Sequence, residues 1–356
     1  MTLRTSRRAL LRASAAAVSA GVAMPALLRP GFAQAPEVTL RMHHFLPAVS
    51  NGHAKFLRPW ADKVQSESNG RIKIDIFPAM QLGGTPPQLF DQARDGVADL
   101  VWTLPGNTPG RFPGIEVFEL PFVAHKRAIT NSRALQEYAD ANLANEFREV
   151  KPICFWAHDH GLIHANKRVA TLDDLRGLKL RFPTRLAGEA LRALGATAIG
   201  MPIPQVPESL AQRVIDGAVV PWEVVPALKL QELVRFHTEI PGSPTLYTAT
   251  FILAMNRAKY DGLPADLKRV IDANSGLPAA SMAGRVWDEQ AVAVSDMVAK
   301  RSNTITVLAE DEARRWQAAT APVVEAWTNS VRERGLDGAK LLESARALIG
   351  KHAVSA

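Results

Sequence analysis

From residue 38 the chain alternates. Val38, Leu40 and Met42 are apolar while Thr39 and Arg41 are polar, the period of two that predicts a strand. Asn51-Gly52 breaks the pattern, and Phe56, Leu57, Trp60 and Val64 then recur at helical spacing as far as Asn69-Gly70. Ile72, Ile74 and Ile76 alternate again. Residues 78–87 read as a loop, Leu89, Phe90 and Ala93 as a short helical face ended by Gly96, and residues 100–103 as a third strand. Strand–helix–strand–helix–strand implies parallel strands joined by helical crossovers. A Pro- and Gly-rich loop, residues 106–114, follows the third strand, at the edge where open α/β sheets hold ligands.

The pattern restarts downstream. Thr171-Leu172-Asp173-Asp174 is a capping-box-like start, stopped by Gly177. Leu178, Leu180 and Phe182 alternate with Lys179 and Arg181 until Pro183. Leu186, Ala190, Leu191 and Leu194 make a helix face, stopped by Gly195. Short strands over 196–199 and 218–220 flank a helix over 205–214, and the second of them meets Pro221-Trp222-Glu223. Residues 264–350 read as mostly helical. The expected fold class is therefore α/β, with two lobes of similar size wrapped by helices.

Charge changes the picture once. The chain of 356 residues carries a formal net charge of +7 and a sequence pI near 9.7, which would suit a nucleic-acid binder. Arg4, Arg7, Arg8, Arg12 and Arg29 all fall in residues 1–35, which hold no acidic residue. Ser6-Arg7-Arg8-Ala9-Leu10-Leu11-Arg12 resembles a bacterial twin-arginine export signal; an Ala-rich apolar stretch over 13–28 and the small-x-small site Ala33-Gln34-Ala35 follow. Cleavage after Ala35 would leave 37 basic against 35 acidic residues, a balance of +2. The general electrostatic case for phosphate backbones then disappears, and a periplasmic location is expected. No nucleic-acid partner is expected.

Chemistry is sparse. The chain lacks a strand-following Gly-x-Gly-x-x-Gly, a Walker loop and a Gly-x-Ser-x-Gly elbow, and no cofactor is expected. The single cysteine, Cys154, sits in the apolar run Pro152-Ile153-Cys154-Phe155-Trp156, where a thiol behaves as a small hydrophobe. His43-His44, His158, His160 and His164 lie near strand ends and leave a metal-dependent hydrolase as an alternative. Adjacent strand residues point to opposite faces, so His43 and His44 share an ion poorly, whereas His158 and His160 could share a face. His160 is also a candidate for a pocket wall. Arg181 faces away from Leu180 and Phe182 at the end of its strand, where a guanidinium could fork onto a carboxylate. A surface arginine or a structural ion pair remains the alternative there.

Leu172-Asp173-Asp174-Leu175-Arg176-Gly177-Leu178-Lys179-Leu180-Arg181-Phe182-Pro183 resembles the "DLkGlKiRvP" signature of the solute-binding proteins of TRAP (tripartite ATP-independent periplasmic) transporters, the DctP type. Ser68-Asn69-Gly70-Arg71-Ile72, Phe77-Pro78-Ala79-Met80-Gln81-Leu82-Gly83, Phe118-Glu119-Leu120-Pro121-Phe122 and Val214-Ile215-Asp216-Gly217-Ala218 also resemble family segments, in order. The resemblance implies a two-lobed periplasmic-binding-protein architecture with a ligand cleft between the lobes. It also implies a long bridging helix over about 279–298 and delivery of the ligand to TRAP transporter membrane subunits. The lobes are expected over 36–157 plus 246–286 and over 158–245 plus 287–356, in a monomer. An ABC-type binder on a similar architecture is a further alternative. The family's signature arginine, which pairs with a substrate carboxylate, corresponds to Arg181.

The sequence departs from the sialic-acid-binding pattern of that family. Ile163 takes the place of a second arginine and Val220 that of an asparagine, and Phe45, Leu104 and Asn107 stand at early polar positions. A small organic acid is therefore expected, a monocarboxylate with an apolar or aromatic body. The expected ligand-binding set is Arg181, Trp222, Glu223, Phe45, Asn107, Trp102, His160, Leu104 and Ile203. In it Glu223 would accept from a hydroxyl or pair with a cation, and Phe45 and Trp222 would meet the ligand from opposite sides.

Overall fold

The computed structural model describes residues 35–354; the expected leader, apart from its last residue, lies outside them. Among the described residues, eleven strands form two sheets. The first holds β1 (Val38–His43), β2 (Ile72–Phe77), β3 (Leu100–Thr103), β4 (Val150–Ala157) and β10 (Thr250–Asn256), in the order β2-β1-β3-β10-β4. The second holds β5 (Leu162–Ala165), β6 (Lys179–Phe182), β7 (Thr197–Gly200), β8 (Gly217–Val220), β9 (Phe236–Glu239) and β11 (Thr304–Val307), in the order β11-β9-β5-β8-β6-β7. The fold is α/β with two lobes, and the chain crosses between the sheets after β4, after β9 and after the helix that precedes β11.

The parallel β1–β2 and β1–β3 pairs follow from the helical crossovers read in the sequence. β10 does not alternate: every residue of it is buried. It lies between β3 and β4 and runs antiparallel to both. A strand covered on both faces reads as one apolar run, so periodicity does not reveal it. β11 is a four-residue edge strand inside a stretch expected to be helical.

The helix Leu277–Ala299 has 23 residues and is about 34 Å long at 1.5 Å per residue. It buries Ala279, Ala280, Ala283 and Gly284 and packs against β4, the helix Ala128–Asn142 and the turn Trp222–Val224 that follows β8. It therefore bridges the two lobes. Asp288, on this helix, accepts the Ala128 and Ile129 N–H groups at 2.6 and 3.2 Å, satisfying donors that open the helix Ala128–Asn142. The helix Glu310–Arg332 also spans the lobes. Trp316 packs with a core cluster of the second sheet, and Trp327 with the larger cluster that contains the first sheet's core.

One expected boundary is corrected. The closing helix Gly338–Val354 was expected with the second lobe, but it packs on Ala128–Asn142, beside the first sheet. Its Lys351 reaches Glu137 at 2.8 Å. The spanning Glu310–Arg332 helix carries the chain back across before this helix begins.

The bridging helix approaches its neighbour closely because Gly284 has no side chain. A Cβ there would sit 2.7 Å from the backbone Cα of Ile129. Alanine is intrinsically better than glycine in a helix interior by ~1 kcal/mol, but overpacking against an unyielding backbone costs typically ~1–3 kcal/mol. Gly284→Ala is therefore expected to lower stability in denaturant unfolding. An increase would show that the helices separate without cost.

Candidate functional site

A cleft between the two sheets ends in a small, mostly apolar cavity. About 40 Å³ of it is open to the centre of a water molecule. Seven of the nine expected residues line it: Arg181, Glu223, Phe45, Asn107, Trp102, Leu104 and Ile203. Trp222 and His160 do not.

Arg181 stands on β6, beside β7 and β8, and is only 3% exposed. Its Nε donates to the Met201 carbonyl at 2.9 Å and its Nη1 more weakly to the Val219 carbonyl at 3.4 Å. These two bonds fix the plane of the guanidinium. Among the described residues Arg181 forms no ion pair, and its Nη2 makes no hydrogen bond. Burial pulls its pKa down to about 10, so at neutral pH it remains a buried cation facing an apolar space.

Glu223 follows β8 in the turn Trp222–Val224. Its Oε1 accepts the Gly52 N–H at 2.8 Å, and its own carbonyl accepts from Asn51 Nδ2 at 2.9 Å. Both bonds reach from the second sheet to the loop after β1. Gly52 has to be a glycine: a Cβ would lie 2.6 Å from the Trp102 ring. Burial is the main cause that raises Glu223, to about 7.

The first lobe supplies an aromatic wall. Phe45 and Trp102 have ring centroids 5.0 Å apart, Trp102 and Phe251 5.9 Å, and Trp102 meets Trp287 of the bridging helix edge-on at 6.1 Å. Such tilted and edge-on pairs are the preferred arrangements of aromatic rings.

Trp222 points the other way. Its indole Nε1 donates to Glu239 Oε1 at 2.7 Å, and its ring packs against His164 and His237, each at 5.2 Å. The turn begun at Pro221 sends consecutive side chains in different directions, so Glu223 reaches the cavity and Trp222 the interior of the second sheet. The expected pairing of Phe45 and Trp222 across a ligand is corrected accordingly. His160 is likewise held inside, with Nδ1 3.2 Å from Asp159 Oδ2 and Nε2 3.4 Å from Glu239 Oε1. Burial alone would lower its pKa, but the two carboxylates outweigh burial and raise it to about 9.

The histidine on the cavity wall is His158. Its Nε2 accepts the Ala249 N–H at 2.8 Å, so the proton on Nδ1 donates to the Asp159 carbonyl at 2.7 Å. Burial lowers its pKa to about 4, and it is neutral. The other histidines are also occupied: His43 with Gln92, His44 with His53, and His164 with His237. Among the described residues no three His, Cys, Asp or Glu side chains converge as metal ligands do. Burial raises the Cys154 thiol well above its usual range. Sequence reasoning missed Tyr247, Phe251 and Trp287, which also line the cavity.

Comparison with known proteins agrees with this architecture. The profile of the family described as Bacterial extracellular solute-binding protein, family 7, matches residues 42–330. The chain resembles a TRAP solute-binding protein from Rhodoferax ferrireducens T118, solved with copurified benzoate. The two are 46% identical, with a TM-score of 0.87 over 90% of this chain and 100% of that one. A marine metagenome TRAP solute-binding protein specific for aromatic acid ligands, solved with 3-hydroxybenzoate, is also 46% identical, with a TM-score of 0.87 over 89% of this chain and 99% of that one. A Bordetella bronchiseptica TRAP periplasmic solute-binding protein with bound mandelate is 28% identical, with a TM-score of 0.82 over 88% and 99% of the two chains.

The His160 cluster makes a pH prediction. A histidine whose folded pKa is raised to about 9 contributes stability that is complete below its ordinary value near ~6.5 and is lost as pH rises through the folded value. Unfolding free energy should fall between those limits, and His160→Gln should flatten the fall. Equal slopes in the two proteins would mean that His160 is uncharged when folded.

Proposed function

The chain belongs to the bacterial extracellular solute-binding proteins, family 7, and from that premise we propose that it captures an aromatic monocarboxylate in the periplasm and delivers it to TRAP-type membrane subunits. The observation that carries this reading is Arg181, a buried cation without a carboxylate partner among the described residues, set in a cavity walled by Phe45, Trp102, Phe251 and Trp287. A guanidinium out of water is costly unless it is paired, and its planar fork suits a carboxylate. The rings offer the acid's body flat apolar contact.

Charge supports one carboxylate rather than two. Arg181 is the sole Lys or Arg among the described residues on the cavity wall, His158 is neutral, and Glu223 would repel a second anionic group. The aromatic ligands of the R. ferrireducens and metagenome proteins support the same class.

Capture would proceed by closure of the cleft. The first lobe comprises residues 36–157 and 246–286 together with the closing helix, and the second comprises 158–245 and the chain from 287 through β11, with Glu310–Arg332 spanning both. Besides the Glu223 contacts, Arg185 at the start of the helix Arg185–Ala193 grips Glu116, with Nη2–Oε2 at 2.5 Å and Nε–Oε1 at 3.4 Å. These bonds join elements of opposite lobes and would break on opening, a hinge motion about the three crossings. The protein works as a monomer, without cofactor or nucleic acid, and reaches the periplasm by the twin-arginine route.

Arg181→Ala should remove most affinity for benzoate. Truncating one partner of a buried charge pair costs about 2–5 kcal/mol, or roughly 30- to 5,000-fold. Arg181→Lys should rescue only part, since an ammonium lacks the planar fork. Wild-type affinity by calorimetry in a folded Arg181→Ala protein would refute the assignment.

A further inference from the structure

Tyr247 lies in the connection between β9 and β10, where the chain passes from the second sheet to the first. Its backbone is pinned to another crossing, because the Gly161 N–H donates to the Tyr247 carbonyl at 3.0 Å. Its ring occupies the space that a side chain at Gly161 would need: a Cβ there would fall 1.9 Å from Tyr247 Cε1. The edge of the His158 ring closes a further side, with centroids 5.3 Å apart at 83°. The ring therefore has one seat, and glycine at 161 is what makes the seat available.

Packing does not account for the hydroxyl. Tyr247 is 1% exposed and lines the same cavity as Arg181, yet its O–H has no hydrogen-bond partner. A phenylalanine would fill the seat equally well without burying an unsatisfied polar group, which is a cost buried hydroxyls normally escape by finding a partner. Burial also raises its ionisation well above the usual range, so the group remains an O–H donor. Arg181 is the cation whose charge acts on it. A donor and a cation thus face one small space, and what they lack in common is an anionic oxygen.

We propose that the Tyr247 hydroxyl donates a second hydrogen bond to the ligand carboxylate held by Arg181, so that the acid is gripped jointly by the second lobe and by the segment joining the lobes. This rests on the monocarboxylate reading above and adds to it a selectivity device. A carboxylate satisfies both groups, whereas a neutral isostere presents less charge to each. It also ties ligand binding to the crossing segment.

The test is a calorimetric titration of wild type and Tyr247→Phe with benzoate and, separately, with lactate, together with melting curves of both ligand-free proteins. A hydrogen bond to a charged group is worth roughly one to two decades of affinity. Tyr247→Phe should therefore bind benzoate about 10- to 100-fold more weakly, while its ligand-free melting temperature is unchanged or higher because an unsatisfied group has gone. Equal benzoate affinity in the two proteins would overturn this inference and leave the aromatic-acid reading standing, and so would a fall in melting temperature without a loss of affinity, the mark of a purely structural tyrosine. If wild type binds lactate but not benzoate, the aromatic reading fails. A weaker grip on lactate in Tyr247→Phe would then still support the inference, and an equal grip would overturn it. Binding of neither acid by wild type would overturn both.

Discussion

Removing a guanidinium from water costs several kcal/mol even after the protein relaxes, and at Arg181 two backbone carbonyls offset only part of that cost. The arrangement around it suits a protein whose function is completed from outside. The strand β6 fixes the side chain, Met201 and Val219 fix its plane, and no carboxylate of the described residues fills its open side. A resident acid would have neutralised the charge and closed the site.

The rest of the cleft follows from that charge. Its walls include aromatic rings in close contact, and the low polarity they create strengthens any interaction Arg181 makes. The two lobes meet through Glu223 with Asn51 and Gly52 and through Glu116 with Arg185. Glu223 has both duties: one oxygen holds the Gly52 N–H of the opposite lobe and the same side chain lines the cavity. Its neighbour Trp222 anchors the turn by bonding Glu239, which is held ionised at about 2 because His160 and the indole N–H outweigh burial.

The sequence discloses Arg181 because strand alternation and Pro183 place it at a strand end, and the family signature supplies the rest. The apolar substitutions Phe45 and Leu104 are legible in the same way. Trp222 misleads because a one-residue advance in a tight turn changes which side chain faces the cleft, and periodicity carries no information there. His158 and His160 exchange places for a related reason: the crossing after β4 is not a regular strand, and which of the two faces inward is settled by Asp159, Ala249 and Glu239. Tyr247 is invisible for a different cause. It follows Pro241-Gly242-Ser243-Pro244-Thr245-Leu246, which reads as loop, and its seat is made by a glycine distant in the chain. The interior strand β10 escapes because full burial erases alternation.

On this reading Arg181 would bind charge, beyond any preference of the aromatic wall for a flat ring. Benzoate and benzamide are nearly the same shape and differ in charge, so calorimetric titration of the wild-type protein with each separates the two contributions. Benzoate is expected to bind at least about 30-fold more tightly, the lower bound for leaving a buried charge unpaired. Equal affinity for the two, or tighter binding of benzamide, would contradict it.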